Sequence, residues 1–145
     1  MEKIKIVIIE DEFVIAEDIQ SNLELLDYDV SVSKHKKSDN FIHAGLRICV
    51  LDQEHFGSGF GCGPVDALNK ALKSSLSSTF PVLNKVRLID YKVRVVSGTK
   101  GTAAVVRVFV RSTDGDRIWD TVGVSEDIIE ASWQAIVDSY EYIIF

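Results

Sequence analysis

Apolar and polar residues alternate over two well-separated stretches of this chain. Leu46, Ile48 and Val50 fall on one parity and Arg47, Cys49 and Leu51 on the other, and Val106, Val108 and Val110 repeat the arrangement. A period of two predicts strands with one face in a core. The opposite face carries Leu51 and Phe109 among charges, more apolar than a solvated face needs, so partial cover is expected there. Elsewhere the period changes to 3.6, predicting one helix through Val65, Leu68, Leu72 and Leu76 and another through Ile129, Ser132, Trp133, Ile136, Tyr140 and Ile143. Gly63-Pro64 opens the first with proline at N1, and Ser125 is expected to cap the second, with Glu126 and Asp127 complementing its dipole. Asp114-Gly115 predicts a two-residue hairpin, and Ser97-Gly98 with Gly101 marks the turn before it. At the N-terminus, Lys3 to Ile9 reads as a buried strand and Phe13 to Leu26 as a helix with Ile15, Ile19, Leu23 and Leu26 in one stripe.

These elements repeat. Leu25-Leu26-Asp27-Tyr28-Asp29-Val30 recurs as Leu88-Ile89-Asp90-Tyr91-Lys92-Val93, 63 residues on, and Ala44 to Val50 resembles Ala104 to Val110, 60 residues on. That change of offset predicts a hairpin three residues shorter in the second copy, at Ser97 to Thr102 against Lys34 to Ile42. The expected fold is α+β: two tandem β-β-β-α units, about 26–77 and 86–145, related by a pseudo-twofold axis. An N-terminal strand and helix in 1–25 precede them.

A length of 145 residues with 46% hydrophobic content suits a globular core. The net charge of -6, with 16 scattered Lys and Arg, argues against nucleic acid as a partner. The run Ile6 to Ile9 is too short for a signal segment or membrane span, so a cytoplasmic location without membrane contact is expected. Cys49 and Cys62 form no metal-binding spacing and read as reduced thiols. His35, His43 and His55 show no ligand spacing and read as solvent-exposed; no cofactor and no nucleophilic triad is expected.

The most unusual stretch is Phe56-Gly57-Ser58-Gly59-Phe60-Gly61-Cys62-Gly63-Pro64-Val65-Asp66-Ala67, alternating glycines just before a helix. Two readings compete: a backbone opened so that an anion can reach the helix N-terminus, or a sharp turn needing positive φ angles. It lacks the βαβ context of a dinucleotide fingerprint and the Gly-Lys-Ser/Thr ending of a P-loop.

Taken in order, Asp-Tyr-x-Val, the Arg-centred strand, Gly-x-Gly-Pro-Val-Asp-Ala-Leu and Gly-Val-Ser-Glu-Asp-Ile-Ile-Glu-Ala-Ser resemble the C-terminal regulatory domain of 2-isopropylmalate synthase and citramalate synthase, over about Leu26 to Tyr142. The resemblance implies a non-catalytic domain that forms a homodimer and binds a branched-chain amino acid, leucine or isoleucine, for feedback on a synthase catalytic subunit. It implies effector contacts at Gly61, Cys62, Gly63, Pro64 and Val65, with Leu88, Tyr91 and Val95 as the apolar wall. Cys62 stands where the resemblance leads one to expect Asp or Asn. The synthase chemistry belongs to a TIM barrel, which needs about 250 residues and does not fit here.

The first thirty residues also resemble the opening of a response-regulator receiver. On that alternative Glu10 and Asp11 would hold a divalent cation beside a phosphorylatable Asp52. A purely structural dimer without ligand is the third alternative.

Overall fold

The computed structural model describes residues 3–9, 12–19, 23–33, 41–96 and 104–145. Its elements are β1 (Lys3–Ile9), β2 (Glu12–Ile19), β3 (Leu23–Ser33), β4 (Phe41–Val50), β5 (Gln53–Gly61), α1 (Pro64–Leu76), a 3-10 turn (Pro81–Lys85), β6 (Arg87–Val95), β7 (Val106–Thr113), β8 (Ile118–Ser125) and α2 (Ile128–Ile144). They divide into two compact units, Asn22–Asn84 and Met1–Ser21 with Lys85–Phe145.

In the Asn22–Asn84 unit, β3, β4 and β5 form an antiparallel sheet in chain order, and α1 packs across β5 and β4. The alternation puts Ala44, Leu46, Ile48 and Val50 on the helix side, where they are buried along with Ala67, Leu68, Ala71, Leu72 and Leu76. Each large side chain so removed from water stabilises the unit by roughly 1.5–3 kcal/mol.

The other unit repeats this plan with β6, β7, β8 and α2, and β1 then β2 extend its sheet beyond β8, giving the order β2-β1-β8-β7-β6. Its core is more polar, and several of its hydroxyls pair. Trp119 Nε1 donates to Ser139 Oγ at 2.9 Å, the hydroxyls of Ser139 and Ser112 lie 2.6 Å apart, and Thr121 Oγ1 donates to the Ala135 carbonyl at 2.6 Å. Such pairing is what makes buried hydroxyls tolerable beside an indole. The α+β class and the twofold β-β-β-α order are as expected from the sequence.

Several local expectations are corrected. The segment from Phe13 is strand, not helix: Glu12–Ile19 pairs with β1 and Leu23 already begins β3. Its stripe of apolar residues fits a helix, but Val14, Ile15 and Ile19 are β-branched, and pairing to β1, itself hydrogen-bonded to β8, decides the outcome. The repeat register also shifts. Tyr28 pairs with Leu46 and Tyr91 with Val110, so β4 matches β7 at an offset of 64, and Arg47 corresponds to Arg111. Counted between Val32↔Ile42 and Val95↔Val106, the second hairpin connection is one residue longer, not three shorter. Period-two alternation looks the same after a slip of four, which hid the true register. Residues 34–40 and 97–103, where the sequence places this difference and the Ser97-Gly98 turn, lie outside the described residues.

Between β7 and β8 the pairing resumes at Thr113↔Ile118, so the loop is Asp114 to Arg117, four residues rather than two, with Gly115 at φ 100. The two-residue turn is in the other unit: Val50 pairs with Gln53, and Leu51 and Asp52 both take positive φ, 50 and 65. Leu51 therefore belongs to a turn, not to the outer face. Phe109 is half-buried there, with the Arg94 guanidinium 5.7 Å from its ring centre, the partial cover its position called for.

Candidate functional site

Three of the alternating glycines, Gly57, Gly59 and Gly61, lie in β5 itself, and neither reading from sequence holds for all four. None adopts positive φ. A Cβ built on Gly57 would meet the Ala71 carbonyl oxygen, one on Gly59 would lie 2.6 Å from Ala71 N, and one on Gly61 2.5 Å from Ala67 N. Three glycines at i, i+2 and i+4 thus strip one face of the strand so that the α1 backbone can rest on it. Gly123 does the same in β8, where a Cβ would run into the Ala131 carbonyl. The period of two was the signal for this.

Gly63 differs. A Cβ there meets nothing within 4 Å, and its φ of -151 is open to any residue. It is the N-cap of α1 and supplies no side-chain cap; Pro64 follows without an N–H. The N–H groups of Val65 and Asp66 therefore have no intrahelical acceptor, since the first helical bond runs from Ala67 N to Gly63 O at 2.9 Å. Asp66 Oδ2 turns back to accept from Cys62 N and from Lys70 Nζ, both at 3.0 Å, which pins the Gly61–Val65 corner and balances the carboxylate. Cys62 is exposed.

The start of α2 is closed by contrast. Asp127, not Ser125, is its N-cap and accepts from Ile129 N at 2.8 Å, while Ser125 Oγ accepts from Asp127 N at 3.1 Å. Of the two helix starts, only that of α1 lacks a side-chain cap.

Leu88, Tyr91 and Val95 all belong to β6. In a regular strand Leu88 and Tyr91, three apart, would point to opposite faces. A β-bulge between Leu88 and Asp90 restores them to one face: Leu88 pairs with Ser112, Tyr91 with Val110 and Val95 with Val106, all on the α2 side. Sequence reasoning missed this bulge, though the first copy bulges at the matching place, between Leu25 and Asp27. Leu88 is half-buried, whereas Tyr91 and Val95 are 39% and 64% exposed, with Val93 between them. The Tyr91 hydroxyl donates to Ser132 Oγ at 2.8 Å, because Ser132 spends its own proton on the Ile128 carbonyl at 2.6 Å. That bond fixes the ring near the start of α2. Gly61 to Val65 lie in one unit and these three residues in the other.

The receiver alternative fares poorly. Asp52 sits in the tight turn of an antiparallel hairpin, and β1 lies antiparallel to both neighbours, so among the described residues no parallel strand end presents an acid. Glu10 and Asp11 are outside the described residues, and among those described no group of three His, Cys, Asp or Glu could hold a metal ion. His43 and His55 are half-buried rather than exposed, His43 with its ring 4.9 Å from Phe60; His35 lies outside the described residues. No described helix is long and apolar enough to cross a membrane. A shallow concavity of about 710 Å³ on the outer face of the β3–β5 sheet, lined by residues such as Asp27, Arg47, Phe56 and Ser58, includes none of the expected effector residues.

(R)-citramalate synthase of Aquifex aeolicus is 48% identical over 99 residues, covering 68% of this chain and 19% of that protein. The citramalate synthase of Geobacter sulfurreducens is 40% identical over 113 residues, 78% of this chain and 21% of its own length. The 2-isopropylmalate synthase of Cupriavidus pinatubonensis is 34% identical over 106 residues, 73% of this chain and 19% of its length. The chain thus spans about a fifth of the relatives it matches. Residues 6–144 match the family described as the LeuA allosteric (dimerisation) domain, and the chain belongs to that family.

Proposed function

We propose that the chain is a non-catalytic regulatory module that binds a branched-chain amino acid, leucine or isoleucine, in a homodimer and feeds back on a synthase of the citramalate or 2-isopropylmalate type. The observation that carries this reading is the asymmetry of the two helix starts. An uncapped N-terminus with two free N–H groups attracts an anion such as a carboxylate, and a capped one does not. Gly63, with no contact to lose, lets a ligand approach that backbone, and Gly61, Cys62, Pro64 and Val65 frame it. The exposed row Leu88, Tyr91 and Val95 supplies an apolar surface suited to a branched side chain. The names of the relatives support the pathway, and the family description supports regulation and self-association.

Calorimetric titration of the chain with leucine and with isoleucine tests the reading. Saturable binding of one of them, weakened about tenfold or more by Gly63→Ala with an unchanged melting temperature, is expected. No heat with either amino acid contradicts it. Choosing between the two is left to the titration, since one displaced methyl changes affinity by only about 1–3 kcal/mol.

A further inference from the structure

Sheet edges are the sites at which another strand can add, and the edges here are guarded unequally. The edge strands β3 and β6 each carry a bulge, which bends the edge, and outward charges: Asp27 and Asp29 on β3, Asp90, Lys92 and Arg94 on β6. β5 has neither guard. It pairs with β4 without a register shift from Gln53 to Gly61 and contains one charged residue, Glu54. Ser58 shows which groups point outward, because Ser74 Oγ accepts from Ser58 N at 3.3 Å and donates to Ser58 O at 3.1 Å. By alternation the N–H and C=O groups of Phe56 and Glu54 also point outward.

The repeat shows what such an edge holds. Phe56 corresponds to Asp120 of β8, and there β1 adds antiparallel, with Ile8 opposite Asp120 and Ile9 opposite Trp119. In the Asn22–Asn84 unit no described strand covers the corresponding place, and Phe56 is 71% exposed. We infer that the β5 edge is a strand-pairing surface for a second copy of this chain, adding antiparallel with Glu54 opposite the partner's Phe56 and the reverse. A twofold through His55 satisfies both open residues of each copy and leaves the Ser58–Ser74 bonds intact. It also brings the two Phe56 rings to the same face of a continuous six-stranded sheet, on adjacent diagonals within reach of each other. The family description as a dimerisation domain is the reason to commit to a second copy rather than another extended chain.

The inference rests on self-association, and its test separates the two claims. Sedimentation equilibrium of the full chain gives the dimer constant, and amide exchange measured below and above it reads the Phe56 N–H. Expected are a dimer whose dissociation constant rises about tenfold or more in Phe56→Lys and in Phe56→Pro, and a Phe56 amide that slows about tenfold on dimerisation. Lysine at an exposed position leaves the fold intact even where proline does not. A dimer indifferent to Phe56→Lys, or with an unchanged Phe56 amide, overturns this pairing surface alone. A chain monomeric at all concentrations overturns self-association with it.

Discussion

Gly61 and Gly63 stand two residues apart and behave oppositely. A methyl group at Gly61 would press on the backbone of α1 at 2.5 Å, whereas one at Gly63 enters open space. Gly61→Ala should therefore cost roughly 1–3 kcal/mol by overpacking, and Gly63→Ala almost nothing, a contrast that thermal melts of the two variants will read directly. The turn at Leu51 and Asp52 calls for the reverse change. Two non-glycine residues at φ 50 and 65 each carry a strain of about 1–2 kcal/mol, so an Asn-Gly pair, Leu51→Asn with Asp52→Gly, should raise stability by about 1 kcal/mol or more. Chemical denaturation showing no gain would mean that the turn relaxes.

Asp114 supplies a pH prediction. Its carboxylate accepts from the backbone N–H groups of Arg117 and Asp116 and from the Arg117 guanidinium, and these hold its pKa down at about 2, against 3.8 for a free Asp. A depressed folded-state pKa means that the contribution is complete above about 3.8 and is lost as pH falls from there towards about 2. An NMR titration of the Asp114 carboxyl carbon should find its midpoint near 2, and Arg117→Ala should move that midpoint upward.

At the scale of elements, polar pairs and bulges decide what apolar patterning leaves open. Ser139→Ala removes the partner of the fully buried Ser112 hydroxyl and one acceptor of the Trp119 indole, and should cost roughly 1–3 kcal/mol. The double variant Ser112→Ala with Ser139→Ala should cost less than the sum of the two single variants, since neither hydroxyl is then stranded. These contacts were not legible beforehand: a serine within a strand or helix pattern announces no partner.

Both long helices and the β4 and β7 cores were legible, because burial of Leu68, Leu72 and Leu76, or of Val108 and Val110, repeats at the period of the backbone. The segment Glu12–Ile19 was misread because its choice of strand depends on β1 and β8, contacts no local window contains. The four-residue slip between copies went unseen because alternation carries parity but not register. Of the candidate site, the proline-led helix start was readable. The common face of Leu88 and Tyr91 was not, since it exists only because a bulge breaks the parity that a strand pattern assumes.

At the scale of the whole molecule, duplication has produced two units with one plan and different exposed features. One unit offers an uncapped helix start, the other an apolar row on β6 beside a capped helix. The central proposal is that leucine or isoleucine binds at the uncapped start of α1. Nitrogen-15 NMR of the chain, recorded as either amino acid is added, tests it most directly. The amide signals of Val65 and Asp66 are expected to shift along one saturation curve with one of the two amino acids. Signals of Val65 and Asp66 that stay in place with both would contradict it.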